Sequence, residues 1–231
     1  MTLVIKKPSA GKLVMAKASV PGNQTVLLLH GSGSNGSRDI VDSSPRMQNV
    51  RLEGDTQITT ARSKFGSSSI AFDGTGDAVV VKHSSDLVLD GPFCIEVFVY
   101  LTAYGSSGTF LFNQDGGGFE VWVNSSGVIR VNRNGNTNLI TTSSGAFGST
   151  GAWKHFAFTW DSSTFRVFID GVLVGSVNSA AISSTGGDLI IGNYRPNSNY
   201  GLNGNLQEVR ISRIARYTAN FTPPTAPFPD F

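Results

Sequence analysis

Short apolar runs alternate with turn-forming residues along almost the whole sequence after residue 24, and this pattern restricts the chain to β-structure. Roughly a dozen such runs follow one another at about 8–15-residue spacing, and no segment of helical periodicity separates them. In residues 93–101 the odd positions, from Phe93 to Leu101, are apolar and form one face of a strand, while Cys94 and Glu96 lie on the other. Strands of this kind are expected between two layers.

The composition favours the same fold class. The 231 residues include 27 glycines and 9 prolines but only four glutamates, so turn formers are abundant and residues for polar helix faces are scarce. Asp170-Gly171 separates two strand-like runs and predicts a type I′ hairpin, because both central positions of that turn have positive φ. Since so many strands cannot stay in one flat sheet, we predict a single all-β domain, a two-sheet antiparallel β-sandwich.

Several function classes find no support in the residues. Cys94 is the single cysteine, so no internal disulfide can form, and its apolar neighbours favour a core position. The histidines, His30, His83 and His155, lack metal-ligand spacing, which argues against a zinc site. The formal net charge of +2 is too small to indicate nucleic-acid binding. No apolar run reaches the ~20 residues that span a bilayer, so we predict neither nucleic-acid binding nor membrane insertion.

The two ends of the chain differ from its middle. Residues 1–38 carry five basic residues and no acidic one. We predict a basic N-terminal arm at 1–24, a folded domain at 25–217 and a Pro-rich C-terminal extension at 218–231. The arm is either a frayed terminus or a segment that orders against an acidic partner, and its anchoring residues are Lys6, Lys7, Lys12 and Lys17. We expect no signal peptide, because no long apolar stretch follows the first charges.

Glycoside hydrolysis would need two carboxyl groups roughly 5–10 Å apart. Glu96, Glu120 and Glu208 have no acidic neighbour two or four positions away. A pair could form only between strands, with Glu96 and Glu120 as the candidates. The sequence therefore predicts a protein that is not an enzyme.

Three aspartates are candidate metal ligands. Asp73, Asp77 and Asp188 lie in glycine-bearing loops near predicted strand ends, where carboxylate oxygens could bind a hard cation. Aspartate is also an ordinary turn residue, which explains the same positions without a metal. The sequence requires no cofactor, and Ca²⁺ is the candidate cation.

Four tyrosines in predicted loops, amid asparagine and glycine, are candidate glycan contacts. An aromatic face matches the apolar face of a pyranose ring, so these side chains could form a sugar-stacking surface. They could equally pack a loop or an oligomer interface. The candidates are Tyr104, Tyr194, Tyr200 and Tyr217.

Several stretches resemble the laminin-G-like, concanavalin A-like lectin/glucanase jelly rolls. They are SIAFDGTGDAVVV, FCIEVFVYL, WKHFAFTWDSSTFRVFIDGVLVGS and LIIGNYRPNSNYGLNGNLQEVRIS, and the resemblance covers roughly residues 25–217. The segments LLLHGSGSNGSRDIVDSSP and ARYTANFTPPTAPF are similar to a variety common in bacteriophage structural proteins. The resemblance implies a jelly roll used as a binding or structural module. The chain lacks the clustered acids of glucanase members, and Gln207 stands where relatives often carry an acid that helps to hold calcium.

The resemblance implies a bacteriophage virion structural protein, either a capsid decoration protein or a fibre-type subunit. In this hypothesis the terminal segments attach the jelly roll to other virion proteins of the capsid or tail, and the protein forms a homo-oligomer. The alternative is a carbohydrate-binding adhesin module that recognises host surface glycans. Both can hold, because multivalent display rescues weak single sites. The expected localisation is the virion, after synthesis in the bacterial host cytoplasm.

Overall fold

The computed structural model describes residues 24–116, 118–133, 137–182, 186–195 and 198–230. The lysines of the predicted arm lie outside these residues. The described chain contains a short 3-10 helix, Ser85–Leu87, and fifteen strands. The strands are β1 (Thr25–Leu29), β2 (Val50–Glu53), β3 (Gln57–Thr59), β4 (Ser69–Asp73), β5 (Ala78–Val81), β6 (Phe93–Ala103), β7 (Thr109–Gln114), β8 (Phe119–Val123), β9 (Ile129–Arg133), β10 (Thr137–Thr141), β11 (Trp153–Trp160), β12 (Thr164–Ile169), β13 (Val172–Asn178), β14 (Leu189–Ile191) and β15 (Asn203–Ser212).

The strands form two antiparallel sheets, which confirms the predicted all-β sandwich. The eight-stranded sheet has the order β13-β12-β11-β6-β15-β4-β3, and β1 also pairs with β15. The seven-stranded sheet has the order β10-β9-β8-β7-β14-β5-β2. Both sheets therefore join strands that are distant in sequence, and loops after such strands can meet at one site. In the part of the chain that the structure describes, no helix is long and apolar enough to cross a membrane.

The core lies between the sheets and follows the predicted alternation. Ile95, Val97 and Val99 of β6 are fully buried between the two sheets, as are Phe156 and Phe158 of β11. The next residues along each strand face outward, as the period of two requires.

The Asp170-Gly171 hairpin between β12 and β13 is confirmed. Asp170 has φ 48° and Gly171 has φ 77°, which are the two left-handed conformations of a type I′ turn. This turn fixes the register of β12 on β13, where Ile169 faces Val172.

A bulge in β15 places two successive side chains outside the core. The register against β6 shifts between Gln207 and Arg210, and Glu208 has φ 55°. The Gln207 amide bonds to the backbone of Phe65, with Nε2 donating to its carbonyl oxygen at 2.8 Å. Glu208 instead contacts His30. The bulge thus presents both polar side chains to residues that lie on the outer face of the eight-stranded sheet.

Residues 213–230 contain no strand and pack on that outer face. The rings of Tyr217 and Phe221 stack with centroids 3.6 Å apart. The Phe228 side chain is 4 % exposed, and the Arg210 guanidinium lies 3.6 Å from the centre of its ring. The Phe228 backbone N–H donates to Glu208 Oε2 at 2.8 Å. We call residues 217–230 the C-terminal strap.

The predicted Pro-rich extension at 218–231 falls on this strap. Phe221 and Phe228 contact apolar surface on the eight-stranded sheet of the same chain, so residues 218–230 cover the outer face of that sheet. Prolines suit such a segment because they lack an N–H donor that would need a partner.

Candidate functional site

A pocket of about 330 Å³ opens on the outer face of the seven-stranded sheet. It combines four aromatic side chains with a carboxylate, an amide and a hydroxyl, which is the mixture typical of small-ligand sites. Its lining residues are Ser107, Phe110, Glu120, Trp122, Asn132, Tyr194 and Tyr200. We call it the aromatic pocket.

Strands β7, β8 and β9 set its floor through their register. Trp122 of β8 pairs with Phe110 of β7 on one side and with Arg130 of β9 on the other. Two residues earlier on β8, Glu120 pairs in the same way with a residue of each neighbouring strand, Asn113 and Asn132. A bulge between Phe110 and Phe112 keeps Phe110 on the outer face while Leu111 and Phe112 join the core. The floor is therefore an aromatic row beside a polar row.

The aromatic rings are closely packed at the floor and upright at the wall. The rings of Phe110 and Trp122 are nearly parallel, at 13°, with centroids 5.9 Å apart. Tyr194 and Tyr200 lie 5.0 Å and 5.7 Å from Phe110, at steep angles to it. Tyr200 is 37 % exposed and offers the most accessible tyrosine ring of the pocket. A ligand ring can thus contact several aromatic surfaces at once.

The loop between β14 and β15 supplies the two tyrosines and is held to the sheet by backbone hydrogen bonds. The N–H of Phe110 donates to the Tyr200 carbonyl at 3.1 Å, and the N–H of Leu202 donates to Gly192 at 2.7 Å. The side chain of Asn193 is buried and donates to the Asp77 carbonyl at 2.9 Å. Because β14 pairs with β7, this loop necessarily lies over Phe110.

Glu120 is the acidic group of the pocket. Its residue is 7 % exposed, and its Oε2 accepts a hydrogen bond of 3.0 Å from the Asn132 amide. Among the described residues, no lysine, arginine or histidine forms an ion pair with it. A buried carboxylate without a cation is a strong hydrogen-bond acceptor for a ligand.

The four tyrosines predicted as glycan contacts separate into two groups. Tyr194 and Tyr200 share the aromatic pocket. Tyr104 packs against Phe147 with centroids 6.2 Å apart and donates to the Gly148 carbonyl, and burial raises the pKa of its hydroxyl. Tyr217 lies in the strap on the other sheet.

The predicted metal ligands are not brought together as a set. Asp73 and Asp77 meet Asp55 instead, with carboxylate oxygens all within 4.8 Å of one another. Asp188 accepts a hydrogen bond of 2.8 Å from the His83 N–H and lies 3.4 Å from the Lys82 ammonium.

The Asp77 carboxylate connects two loops through hydrogen bonds to their backbone. One of its oxygens accepts from the Asp55 N–H and the other from the Asp73 N–H, each at 2.8 Å. Burial raises the pKa of the Asp77 carboxyl to about 6. A cation here would rely mainly on the exposed carboxylates of Asp55 and Asp73, and calcium binding stays a prediction.

Glu96 and Glu120, the candidate hydrolytic pair, lie on opposite outer faces of the sandwich. Glu96 is fully buried under the strap, where its Oε1 is 2.7 Å from Arg210 Nη2 and its Oε2 is 2.8 Å from the Tyr217 hydroxyl. Burial opposes its ionisation, but the hydrogen bond from His155 and the charge of Arg210 lower the pKa of Glu96 below its ordinary value. Burial and the nearby Glu96 charge raise the pKa of Tyr217. Glu96 therefore helps to hold the strap on the eight-stranded sheet through Tyr217. Because the two glutamates lie on opposite faces of the sandwich, they cannot act on one bond.

Sequence reasoning missed Phe110, Trp122 and Asn132 as site residues, and it considered Glu120 only as a hydrolytic partner of Glu96. The available signal was the alternation of β8, where Glu120 and Trp122 occupy the face opposite to Phe119 and Val121. Aromatic side chains with a few polar groups are the lining typical of ligand pockets, and β8 carries one of each on its outer face.

Comparison of the structure with solved structures finds bacterial toxin binding domains. The chain is 16% identical to the binding domain of Paraclostridial Mosquitocidal Protein 1, with a TM-score of 0.68 over 86% of this chain and 51% of the other. It is 14% identical to the binding domain of botulinum neurotoxin DC in complex with SialylT, with a TM-score of 0.66 over 86% and 50% of the two chains. A third similar structure is named for the cell entry of botulinum neurotoxin type C, which depends on interaction with two ganglioside molecules. The chain is 14% identical to it, with a TM-score of 0.61 over 85% of this chain and 49% of the other.

These likenesses show the fold, and the chain spans about half the length of the structures that it matches. No curated protein sequence is significantly similar to it. The Laminin_G_3 family model, described as the concanavalin A-like lectin/glucanases superfamily, matches residues 73–220, which include strands β5 to β15 and the aromatic pocket. The chain belongs to this concanavalin A-like family, as the resemblance of its strand and hairpin segments predicted.

Proposed function

We propose that the protein is a glycan-binding module whose ligand occupies the aromatic pocket. The observation that carries this proposal is the grouping of Tyr194, Tyr200, Phe110 and Trp122 around Glu120 and Asn132 in one open cavity. Aromatic rings contact the apolar face of a sugar, while the carboxylate and amide bond to its hydroxyl groups. The module binds its ligand without cleaving it.

The comparisons support this proposal at the level of fold. Two of the similar toxin structures carry names that mention SialylT and ganglioside molecules. At 14% identity their ligands do not transfer to this chain, so the argument depends on the pocket.

A glycan array with the protein displayed at high density tests the proposal, since multivalency raises weak binding above detection. We expect Tyr200→Ala and Trp122→Ala to reduce array binding by about tenfold or more, as loss of an aromatic contact to a ring typically does. Met47→Ala is the matched control, because Met47 is an exposed apolar side chain, at 79 %, outside the pocket. Binding by the wild type that neither pocket variant alters would contradict the proposal.

We further propose that this module is displayed on a bacteriophage virion as a decoration or fibre-type subunit, in oligomeric form. The support is the similarity of residues 27–45 and 215–228 to segments common in bacteriophage structural proteins. Because residues 218–230 pack on their own domain, attachment falls to the basic arm and its lysines.

Co-sedimentation of the labelled protein with undecorated virus particles, and separately with host cells, tests this role. We expect saturable binding to particles that is lost when residues 1–24 are removed, and light scattering should show more than one copy per assembly. Binding to cells alone would contradict the virion role and leave the adhesin module as the remaining hypothesis.

A further inference from the structure

We propose that the aromatic pocket selects glycans that carry a free ammonium group, namely unacetylated amino sugars, over neutral and acidic glycans. This inference rests on the proposed glycan-binding function and specifies the class of ligand. It depends on the charge, the rings and the surroundings of one side chain, Glu120.

The first argument is the uncompensated charge at the floor of the pocket. Glu120 is 7 % exposed, and its carboxylate accepts a hydrogen bond from the neutral amide of Asn132. A ligand that covers the pocket removes the remaining water from this carboxylate, which is costly unless the ligand supplies a positive charge. Sugar hydroxyl groups can donate hydrogen bonds to Glu120 but leave its charge uncompensated.

The second argument is the set of aromatic rings around that carboxylate. Phe110, Tyr194 and Tyr200 lie with pairwise centroid distances of 5.0 Å, 5.7 Å and 5.9 Å. The electron-rich faces of such rings attract cations. Two rings of the pocket already contact a cation. The Arg130 guanidinium lies 5.2 Å from the centre of the Trp122 ring, and the Arg195 guanidinium lies 5.0 Å from the centre of the Tyr194 ring. An ammonium group in the cavity would contact ring faces and Glu120 together.

The two arginines do not reverse this preference. Arg130 stands beside Trp122 on an exposed position of β9, and Arg195 is 63% exposed and lies 3.9 Å from Asp115. Exposed charges are screened by solvent and salt, whereas a buried carboxylate such as that of Glu120 is screened less. Glu120 is therefore the charged side chain that lines the cavity itself.

The test compares three tetrasaccharides by calorimetry at pH 6 with the full chain. These are the tetramers of glucosamine, N-acetylglucosamine and galacturonic acid. We expect the glucosamine tetramer to bind about tenfold more tightly than the other two, as a charge-assisted hydrogen bond predicts. In Glu120→Gln, which keeps the shape and the acceptor for Asn132, this advantage should disappear, so that the glucosamine and N-acetylglucosamine tetramers bind with equal affinity.

Two controls make the result specific. Glu53→Gln makes the same change on β2, at the far edge of the same sheet, and should keep the advantage. Raising the pH to 9 deprotonates the sugar amine and should remove the advantage in the wild type. If Glu120→Gln lowers the thermal midpoint of unfolding, the comparison of wild-type binding at pH 6 and pH 9 decides whether the ammonium preference holds.

The possible failures are distinguishable. Equal binding of neutral and amino tetramers, or tighter binding of the acidic one, would overturn the ammonium preference. If that binding still required Tyr200 and Trp122, the glycan-binding function would stand. Absence of binding to every glycan on the array and to all three tetramers would overturn both proposals.

Discussion

The imidazole Nδ1 of His30 lies 2.9 Å from each carboxylate oxygen of Glu208. The other ring nitrogen, Nε2, lies 2.9 Å from Asp230 Oδ1. Glu208 also accepts from the Phe228 N–H, so this one pair joins the end of β1 to the bulge of β15 and to the end of the C-terminal strap. A charged imidazole between two carboxylates is stronger than a neutral one as a hydrogen-bond donor.

We predict that this pair makes the stability of the protein depend on pH in the alkaline range. The hydrogen bond to Glu208 raises the pKa of His30 from 6.5 to about 9. A raised pKa contributes stability that is fully present below pH 6.5 and is lost as the pH rises through about 9. The loss should be about 1.5–3 kcal/mol, the usual contribution of a charge-assisted hydrogen bond.

Urea denaturation at a series of pH values checks this prediction. His30→Gln should be less stable than the wild type at pH 6 and nearly equal to it at pH 10. His83→Gln is the control, since the His83 side chain is exposed, and it should leave the pH profile unchanged. A wild-type profile that is flat between pH 6.5 and 9 would contradict the assignment.

Alanine substitutions at two glycines can distinguish the cost of backbone strain from the cost of displacing the strap. A Cβ on Gly171 would lie 1.9 Å from the Phe221 carbonyl oxygen, whereas one on Gly66 would meet nothing within 4 Å. Both glycines have positive φ, at 77° and 60°, so each alanine substitution costs about 1–2 kcal/mol of backbone strain. We expect Gly171→Ala to lose about 1–2 kcal/mol more than Gly66→Ala, because the strap must also move.

Thermal and urea unfolding of the two glycine variants measure the difference. Hydrogen exchange should locate the extra loss in Gly171→Ala at residues near Phe221. Equal destabilisation by the two substitutions would mean that the strap contributes little at this point.

The buried charge of Glu96 should be costly to remove. Glu96→Gln would leave Arg210, whose side chain is 8% exposed, without its carboxylate partner, so we expect a loss of about 3–5 kcal/mol in the free energy of unfolding. Since the pKa of Glu96 is lowered, its contribution is present above pH 4.5 and is lost as the pH falls below it. Glu53→Gln, at a partly exposed carboxylate, should cost about 0.5 kcal/mol or less. A cost for Glu96→Gln as small as this one would count against a structural role.

Calcium should bind weakly to the carboxylates of Asp55, Asp73 and Asp77. Both oxygens of Asp77 already accept backbone hydrogen bonds, so we expect a Kd of about 10⁻⁴–10⁻³ M, as in weak calcium modules. Millimolar CaCl₂ should raise the thermal midpoint of the wild type relative to EGTA, and Asp73→Asn should remove the increase. Asp188→Asn should retain it. An identical midpoint with and without calcium would refute the prediction.

The fold was largely predictable because alternation and turn chemistry are local signals. The strand from Phe93 and the type I′ turn at Asp170-Gly171 needed no knowledge of their partners. The strands β2, β3 and β10 were not predicted, because they have 3–5 residues and carry mostly polar or partly exposed side chains. Edge strands of this kind differ little from loops in sequence.

Two of the aromatic residues of the candidate site were predictable from local sequence signals, and the residues that pack against them were not. Tyr194 and Tyr200 stood out as aromatic residues in an asparagine-rich loop. Their partner Phe110 could not be identified, because it depends on β14 pairing with β7, which is far from it in sequence. Proline content predicted an irregular path for the strap, but it could not predict the surface along which the strap runs.

The strap has a consequence for how the module can be oriented. The chain enters the eight-stranded sheet at Thr25, and Asp230 lies against His30 at the opposite end of the same strand, β1. Both described ends of the chain therefore belong to one side of the sandwich, and the aromatic pocket belongs to the other. A scaffold that holds the protein through a segment preceding Thr25, on the side of the eight-stranded sheet, would leave the aromatic pocket on the side that faces away from it.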